Sequence, residues 1–395
     1  MRIACVGGGP AGLYFAIAAK LTDPAHEIAV YERDAAGSTY GWGVTFHDDL
    51  LDLLHQQDPV SARAVEAACV RWQEREVRLP TGRPARFGGY GHSLLRSALL
   101  EILTERAVGL GVRVHHQHSV DADTDLGAAD LVVAADGVRS RLRQAAADHF
   151  GTMVTTGHNP YIWLGTTQKF ASLTMAVADT PAGPIWFQAY PSTPEVSTCV
   201  VECPPSTWRG LGLDTAALPD ALTILEEVFA DGLGGQRLIG QSRGQTAGWL
   251  RFEHVTNDVW YHGKVVLIGD AAHTTHFSLA SGTWLALRDC IVLTRALSRY
   301  PELSEALAQY DRRRRASLAD MARRGLESMR WFENLPAHDG MDAATFANTI
   351  LTRGIARPPP RWRVRLGQSD IVRACRRRVD ERYRRRSARY RSRPD

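Results

Sequence analysis

The chain is 395 residues long, 44% hydrophobic and 23% charged, with a formal net charge of +4. That composition is ordinary for a soluble globular protein with a large core or two lobes, and no apolar run reaches the length of a membrane span. A membrane protein is thereby excluded. The six cysteines, Cys5, Cys69, Cys199, Cys203, Cys290 and Cys375, lack paired metal spacing, so reduced thiols and no metal are expected.

Met1-Arg2-Ile3 leads straight into an apolar strand, so no secretory leader and a cytoplasmic protein are expected. Arg2 to Val6 reads as a short buried strand, Gly7-Gly8-Gly9-Pro10-Ala11-Gly12 fits G-x-G-x-x-G, and Leu13 to Leu21 reads as a small-residue helix. In that order Gly7 makes the tight turn, Gly9 lets the backbone approach a pyrophosphate, and Gly12 allows helix to pack closely on strand. Pro10 and Ala11 open the helix, whose free N–H groups favour an anion. Glu27 to Glu32 is a second strand ending in an acid, so Glu32 is expected to accept from a ribose diol, with Arg33 beside it.

Further along, Ser93 to Ala107 reads as an amphipathic helix, and Leu131 to Ala135 as a strand ending in Asp136-Gly137 and a basic turn. Strands alternating with helices to about residue 150 predict a parallel sheet with crossovers. Residues 161–168, 174–177, 184–190 and 197–203 read as strands of an antiparallel sheet, followed by a helix near Leu218 to Phe229. The apolar run Lys264 to Ile268 then leads into Gly269-Asp270-Ala271-Ala272-His273 and a long helix. The expected organisation is an α/β fold. Residues 1–155 and 261–366 form one discontinuous Rossmann-like lobe with C-terminal helices, and 156–260 form an inserted sheet domain. Pro358-Pro359-Pro360 marks a break before a basic tail over 367–395, rich in arginine from Arg376 onward. The tail reads either as a solvated segment or as an electrostatic lure for an anionic substrate. No nucleic-acid partner is needed to explain the chain.

Taken together, the glycine loop, Asp136-Gly137 and Gly269-Asp270 resemble the motifs of class A flavoprotein monooxygenases, in the same order over residues 1 to about 290. Gly41-Trp42-Gly43-Val44, Tyr161 to Thr167, Val201 to Pro204, His276-Phe277-Ser278, Ser281-Gly282-Thr283, Trp331 to Asn334 and Leu351-Thr352-Arg353 resemble one branch of that class. It is the branch of salicylyl-CoA 5-hydroxylase and the violacein-pathway tryptophanyl hydroxylase, and the likeness reaches about residue 366.

The resemblance implies bound FAD, held by the glycine loop, Glu32, Asp136, Gly269, Asp270 and Gly282, with Arg96 reaching the pyrophosphate from an R-x-x-L-x-x-x-L helix. It implies NAD(P)H as a transient reductant and hydroxylation by O2, through a flavin C4a-hydroperoxide, of an indole-, anthranilate- or salicylate-like ring, free or thioester-bound. Epoxidation, oxidative decarboxylation or a catalytically idle flavin-binding subunit are the alternatives, and a monomer or homodimer is expected. His47 and His276 are the candidate bases, because imidazole titrates near neutral pH, although either side chain could instead only shape the pocket. His273 is expected to hold the Gly269-Asp270 turn. Trp42, Tyr190 and Trp284 are the candidate substrate contacts, with Trp163 and Trp186 divided between pocket and core. Ala280, where the branch has glycine, and Trp284, where it has a smaller or more flexible side chain, depart from the pattern.

Overall fold

The computed structural model describes residues 1–126 and 129–353, together with 369, 372, 374, 375 and 377–382. The triple proline and most of the basic tail fall outside the described residues. Among those residues the strands form a six-stranded sheet, a nine-stranded sheet and a two-stranded ribbon.

Residues Arg2–Val6 lie in the middle of the first sheet, parallel to Glu27–Tyr31 on one side and to Leu131–Ala134 on the other. Val265–Leu267 extends the parallel set beyond Leu131–Ala134. Both faces of a parallel sheet are covered by helices. Accordingly the Pro10–Thr22 helix is apolar nearly all round and packs against the long helix Gly282–Arg299.

The second sheet is mostly antiparallel and combines sequence-distant segments. Met153–Thr166, Leu173–Thr180, Gly183–Pro191 and Ser197–Glu202 are joined by Gly43–Phe46, Val70–Arg78 and Ala85–Leu95 through the parallel pairing of Val70–Arg78 with Leu173–Thr180. The proposed boundary at residue 155 therefore falls inside a strand. Side chains alternate across a sheet. Ile162, Leu164, Ile185, Phe187, Cys199 and Val201 pack outward beneath the Leu218–Val228 helix. Tyr161, Trp163, Trp186, Gln188, Tyr190, Thr198 and Glu202 consequently face the first lobe. The helix expected to begin at Ser93 begins at Arg96, because Ser93 to Leu95 pair with Gly43 to Thr45 as a strand.

All six cysteines are free thiols. Among the described residues no helix is long and apolar enough to cross a membrane.

Candidate functional site

The glycine loop is shaped for a ligand. At Gly7 φ is +108°, and a Cβ there would stand 2.3 Å from the Ala135 carbonyl oxygen; at Gly12 it would stand 1.9 Å from the Gly7 oxygen. A Cβ on Gly9 would meet nothing within 4 Å. The loop is thus packed tightly against the sheet and open on its outer side. No side chain caps the Pro10–Thr22 helix, so its first N–H groups are free to hold an anion. Glu32 is fixed beneath the loop, with the Gly8 N–H donating to Oε2 at 2.7 Å and the Asp34 N–H to Oε1 at 2.9 Å. Each oxygen keeps a lone pair for a diol. Arg33 lies at the outer end, its guanidinium 6.0 Å from the Tyr40 ring.

Arg96 is the first residue of its helix. Its N–H donates to the Trp42 carbonyl at 2.8 Å and its guanidinium to Thr39 Oγ1 at 3.2 Å. Burial pulls the guanidinium below its usual range, while attraction from Asp270 and Glu32 opposes this, so Arg96 lies within electrostatic reach of both acids. Asp270 is open to the cleft and makes no hydrogen bond or ion pair with another described residue. Protein on its remaining sides raises its carboxyl, against His273 and Arg96. Asp136 accepts the Arg141 N–H at 2.8 Å through Oδ2, whereas its buried Oδ1 has no partner. An orphaned buried acceptor of this kind is what a ligand or bound water satisfies.

The turn that aims Asp270 is held from behind. Gly269 has φ +58°, and Asp289, fully buried, accepts its N–H at 2.8 Å, His273 Nε2 at 2.9 Å and Arg314 Nε at 2.7 Å. His273 is therefore part of the support. Burial alone would raise the Asp289 carboxyl, but His273 and Arg314 hold it below the usual carboxylate range. Arg143, which the sequence reading did not single out, donates to the carbonyls of Ala271 at 3.0 Å and Val138 at 2.6 Å. It ties the Asp136 turn to the Asp270 turn.

The loop Gly41-Trp42-Gly43 joins the cleft to the roof sheet by close packing. A Cβ on Gly41 would come 2.6 Å from the Trp163 ring, and one on Gly165 2.6 Å from the Trp42 ring. Tyr190, 7% exposed, donates its hydroxyl to the Gly43 carbonyl at 2.8 Å. That hydroxyl tethers roof to loop. Trp186 is wholly buried, stacks on Phe332 and donates to Glu202 at 3.3 Å, so it belongs to the core. Trp42 and Trp163 are half-buried, and Trp163 Nε1 has no partner.

His276 is buried and its Nδ1 lies 2.8 Å from Ser278 Oγ; burial, with Arg353 repelling, lowers its pKa to about 3. His47 lies 3.1 Å from the Tyr90 carbonyl through Nδ1 and 3.4 Å from Arg75 through Nε2, and burial and Arg75 lower it too. Both imidazoles are therefore neutral at neutral pH, and His276 is a weak base. Arg75, Arg324 and Arg353 share this region, and none has an acidic partner among the described residues. Arg353 instead donates to Ser328 Oγ at 2.6 Å and to the Ser278 carbonyl at 3.0 Å.

Trp284 is half-buried near the start of the Gly282–Arg299 helix, with the Arg288 guanidinium 4.8 Å from its ring centroid. A Cβ on Gly282 would meet nothing within 4 Å. Ala280 sits at φ +52°, a left-handed conformation that costs an L-residue about 1–2 kcal/mol. Ala280→Gly should therefore raise stability by roughly 1 kcal/mol, a gain smaller than the full strain because glycine is more flexible when unfolded. Denaturant unfolding checks this, and equal or lower stability would show that Ala280 is unstrained.

A glycine loop, an acid at the end of the second strand and paired Asp-Gly and Gly-Asp turns around one cleft define an FAD-binding oxidoreductase. The chain belongs to the FAD_binding_3 family, described as an FAD binding domain, whose profile matches residues 1–325, and it is a class A FAD-dependent aromatic monooxygenase. It is 37% identical over 369 residues to a salicyloyl-CoA 5-hydroxylase of Streptomyces sp, covering 90% of this chain and 70% of that one. It is 39% identical over 341 residues to a 3-hydroxy-4-methyl-anthranilyl-[aryl-carrier protein] 5-monooxygenase of Streptosporangium sibiricum, covering 85% and 90% respectively. The solved structure of a 2-methyl-3-hydroxypyridine-5-carboxylic acid oxygenase shares the fold, with a TM-score of 0.70, 22% identity and coverage of 89% and 98%.

Proposed function

We propose that this monooxygenase hydroxylates an aromatic ring presented as a thioester, on CoA or on a carrier protein. The observation that carries the reading is that two relatives above 30% identity, a salicyloyl-CoA 5-hydroxylase and an anthranilyl-[aryl-carrier protein] 5-monooxygenase, both act, by name, on such tethered aryl groups. The arginines Arg75, Arg324 and Arg353, without an acidic partner among the described residues, add positive charge suited to an anionic substrate. FAD, when bound, supplies the activation of O2 after reduction by NAD(P)H. The chain's own residues do the rest. The loop at Gly9, with Arg96 and Asp270, would hold the dinucleotide from its pyrophosphate to its ribityl chain; Glu32 would take the ribose; Trp42, Trp163 and the roof sheet would keep water from the reacting ring. A cytoplasmic monomer or homodimer suits reductant and thioester alike.

The test compares salicyloyl-CoA with free salicylate, following NAD(P)H oxidation and product mass. The thioester should gain one oxygen and the free acid little. Equal turnover of the free acid would overturn the tethered reading. Deletion of residues 376–395 should leave flavin content intact and raise KM for the thioester, more at low ionic strength than at high, because exposed charges are screened beyond about 10 Å at 0.1 M salt. Identical kinetics at both salt levels would assign the tail no part in capture.

A further inference from the structure

A cavity beside the loop Phe277–Leu279 is lined by Asn159, Tyr161, Glu202, Phe277, Met329 and Glu333, among others. Glu202, 3% exposed, ends the strand Ser197–Glu202 on the face that looks toward the first lobe. Asn159 Nδ2 donates to its Oε1 at 2.9 Å and Trp186 Nε1 to its Oε2 at 3.3 Å. Asn159 is itself oriented by the Phe332 carbonyl at 3.3 Å. Among the described residues no cation touches Glu202. The titratable groups that share the cavity are Tyr161 from the neighbouring strand, His276 from the loop and Glu333 from the long helix. Burial pushes Tyr161 up to about 12 and His276 down to about 3, so at neutral pH neither brings a charge. Glu202 is pushed up to about 8 by burial; its two hydrogen bonds oppose this and repulsion from Glu333 adds to it.

Glu333 opens the other side of the cavity to solvent. Its side chain is 16% exposed, its Oε1 accepts the His158 N–H at 2.6 Å, and its Oε2 lies 3.4 Å from Nδ1 of His158, which is 82% exposed. Gly157 makes room for this approach, since a Cβ there would stand 3.2 Å from Glu333 Oε1 and 3.1 Å from Met329 Sδ. A buried carboxyl, a cavity, a second carboxyl and a surface imidazole therefore follow one another from the roof of the pocket to water.

We propose that Glu202 accepts the proton of a hydroxyl or amino group on the aromatic substrate, and that Glu333 and His158 exchange that proton with solvent. The inference rests on the reading of the protein as an aromatic hydroxylase, free acid or thioester alike. In the step, the O–H or N–H bond of the substituent breaks, its electron pair stays on the substituent and enriches the ring, and the proton moves to a Glu202 oxygen. When the hydroxylated ring regains aromaticity it releases the proton of its reacting carbon, and one proton returns to the substituent along the same path. Oxidant and reductant are the O2 and NAD(P)H of the parent reaction. A base acts best when its pKa lies near the operating pH, which burial, reinforced by a neighbouring carboxylate and only partly offset by two neutral donors, achieves here for a glutamate.

The experiment follows turnover against pH in the FAD-loaded enzyme, with whichever of salicyloyl-CoA or salicylate the wild type oxygenates. The identity of that substrate decides the thioester question separately. Wild-type kcat should rise with pH through about 8, as Glu202 becomes the carboxylate. Glu202→Gln should lose that limb and about 100-fold or more in kcat, in the range of general-base contributions. Glu333→Gln, which leaves Glu202 intact, should move the limb to lower pH, because one repelling charge is gone. A substrate-free readout accompanies these. Glu202 keeps its proton to about pH 8 when folded but releases it near 4.5 when unfolded, so stability should fall with rising pH between those values in wild type. Glu202→Gln should lack that part of the slope and match wild type at pH 4. An unchanged limb in Glu202→Gln, or an unmoved limb in Glu333→Gln, overturns the proposal.

Discussion

Asp289→Ala should be the most damaging single substitution in this chain, lowering stability by about 3–5 kcal/mol, the usual cost of removing one partner of a buried ion pair. The reason is the number of groups left behind. Arg314, 1% exposed, loses its carboxylate partner, the Gly269 N–H loses its acceptor and His273 loses its partner. Asp289→Asn, which keeps an acceptor of the same shape, should cost less. Urea unfolding of the flavin-free proteins measures both, and an alanine variant within about 1 kcal/mol of wild type would refute the pairing. The pH dependence has a defined sign. The folded Asp289 carboxyl lies below its ordinary value, so its contribution is complete above about pH 4 and is lost as pH falls through the folded value.

Asp270→Ala should have the opposite profile: most of the FAD lost, the fold retained. Asp270 has no hydrogen bond or ion pair with other described residues, so the fold draws little on it beyond its electrostatic reach to Arg96 and His273, and its carboxylate faces the cleft. A hydrogen bond to a charged group contributes about 1.5–3 kcal/mol, so the flavin should bind roughly 10- to 150-fold more weakly. Flavin absorbance after gel filtration, and Kd by fluorescence titration, measure the loss beside an unchanged melting temperature of the apoprotein. Undiminished flavin would sink the placement of the Gly269-Asp270 turn. The flavin should also leave the wild-type polypeptide on acid precipitation, because the expected hold is noncovalent.

Much of the cleft was legible from sequence because its parts are local. Gly7, Gly9 and Gly12 stand between a strand and a helix that adjoin in the chain, and Glu32 closes the next strand, so spacing alone orders them. What spacing conceals is long-range pairing. Nothing near Arg75 announces that it will lie opposite Leu173, so the strands of residues 43–95 read as part of the first lobe although they extend the roof. Ser93 to Leu95 carry a helical pattern, yet pairing with Gly43 to Thr45 holds them extended until Arg96. The same applies to side chains. Glu202 at a strand end looks like a surface acid until Asn159 and Trp186 converge on it, and nothing near Tyr190 in the sequence shows that its hydroxyl will meet the Gly43 carbonyl. Titration is hidden too, since His47 and His276 are lowered first by burial in the folded chain and then by arginines supplied by distant segments.

The interleaving of Gly41, Trp42, Trp163 and Gly165 constrains how this scaffold can be recombined. Each indole occupies the space that a methyl on the opposite glycine would need, so the four residues form a reciprocal fit between two parts of the chain more than a hundred positions apart. A roof sheet transplanted from a related enzyme to alter substrate choice will seat only if residues 41–43 travel with it. The unit of exchange in this architecture is therefore the mated pair of segments, and chimeras cut at the apparent boundary near residue 155 divide it.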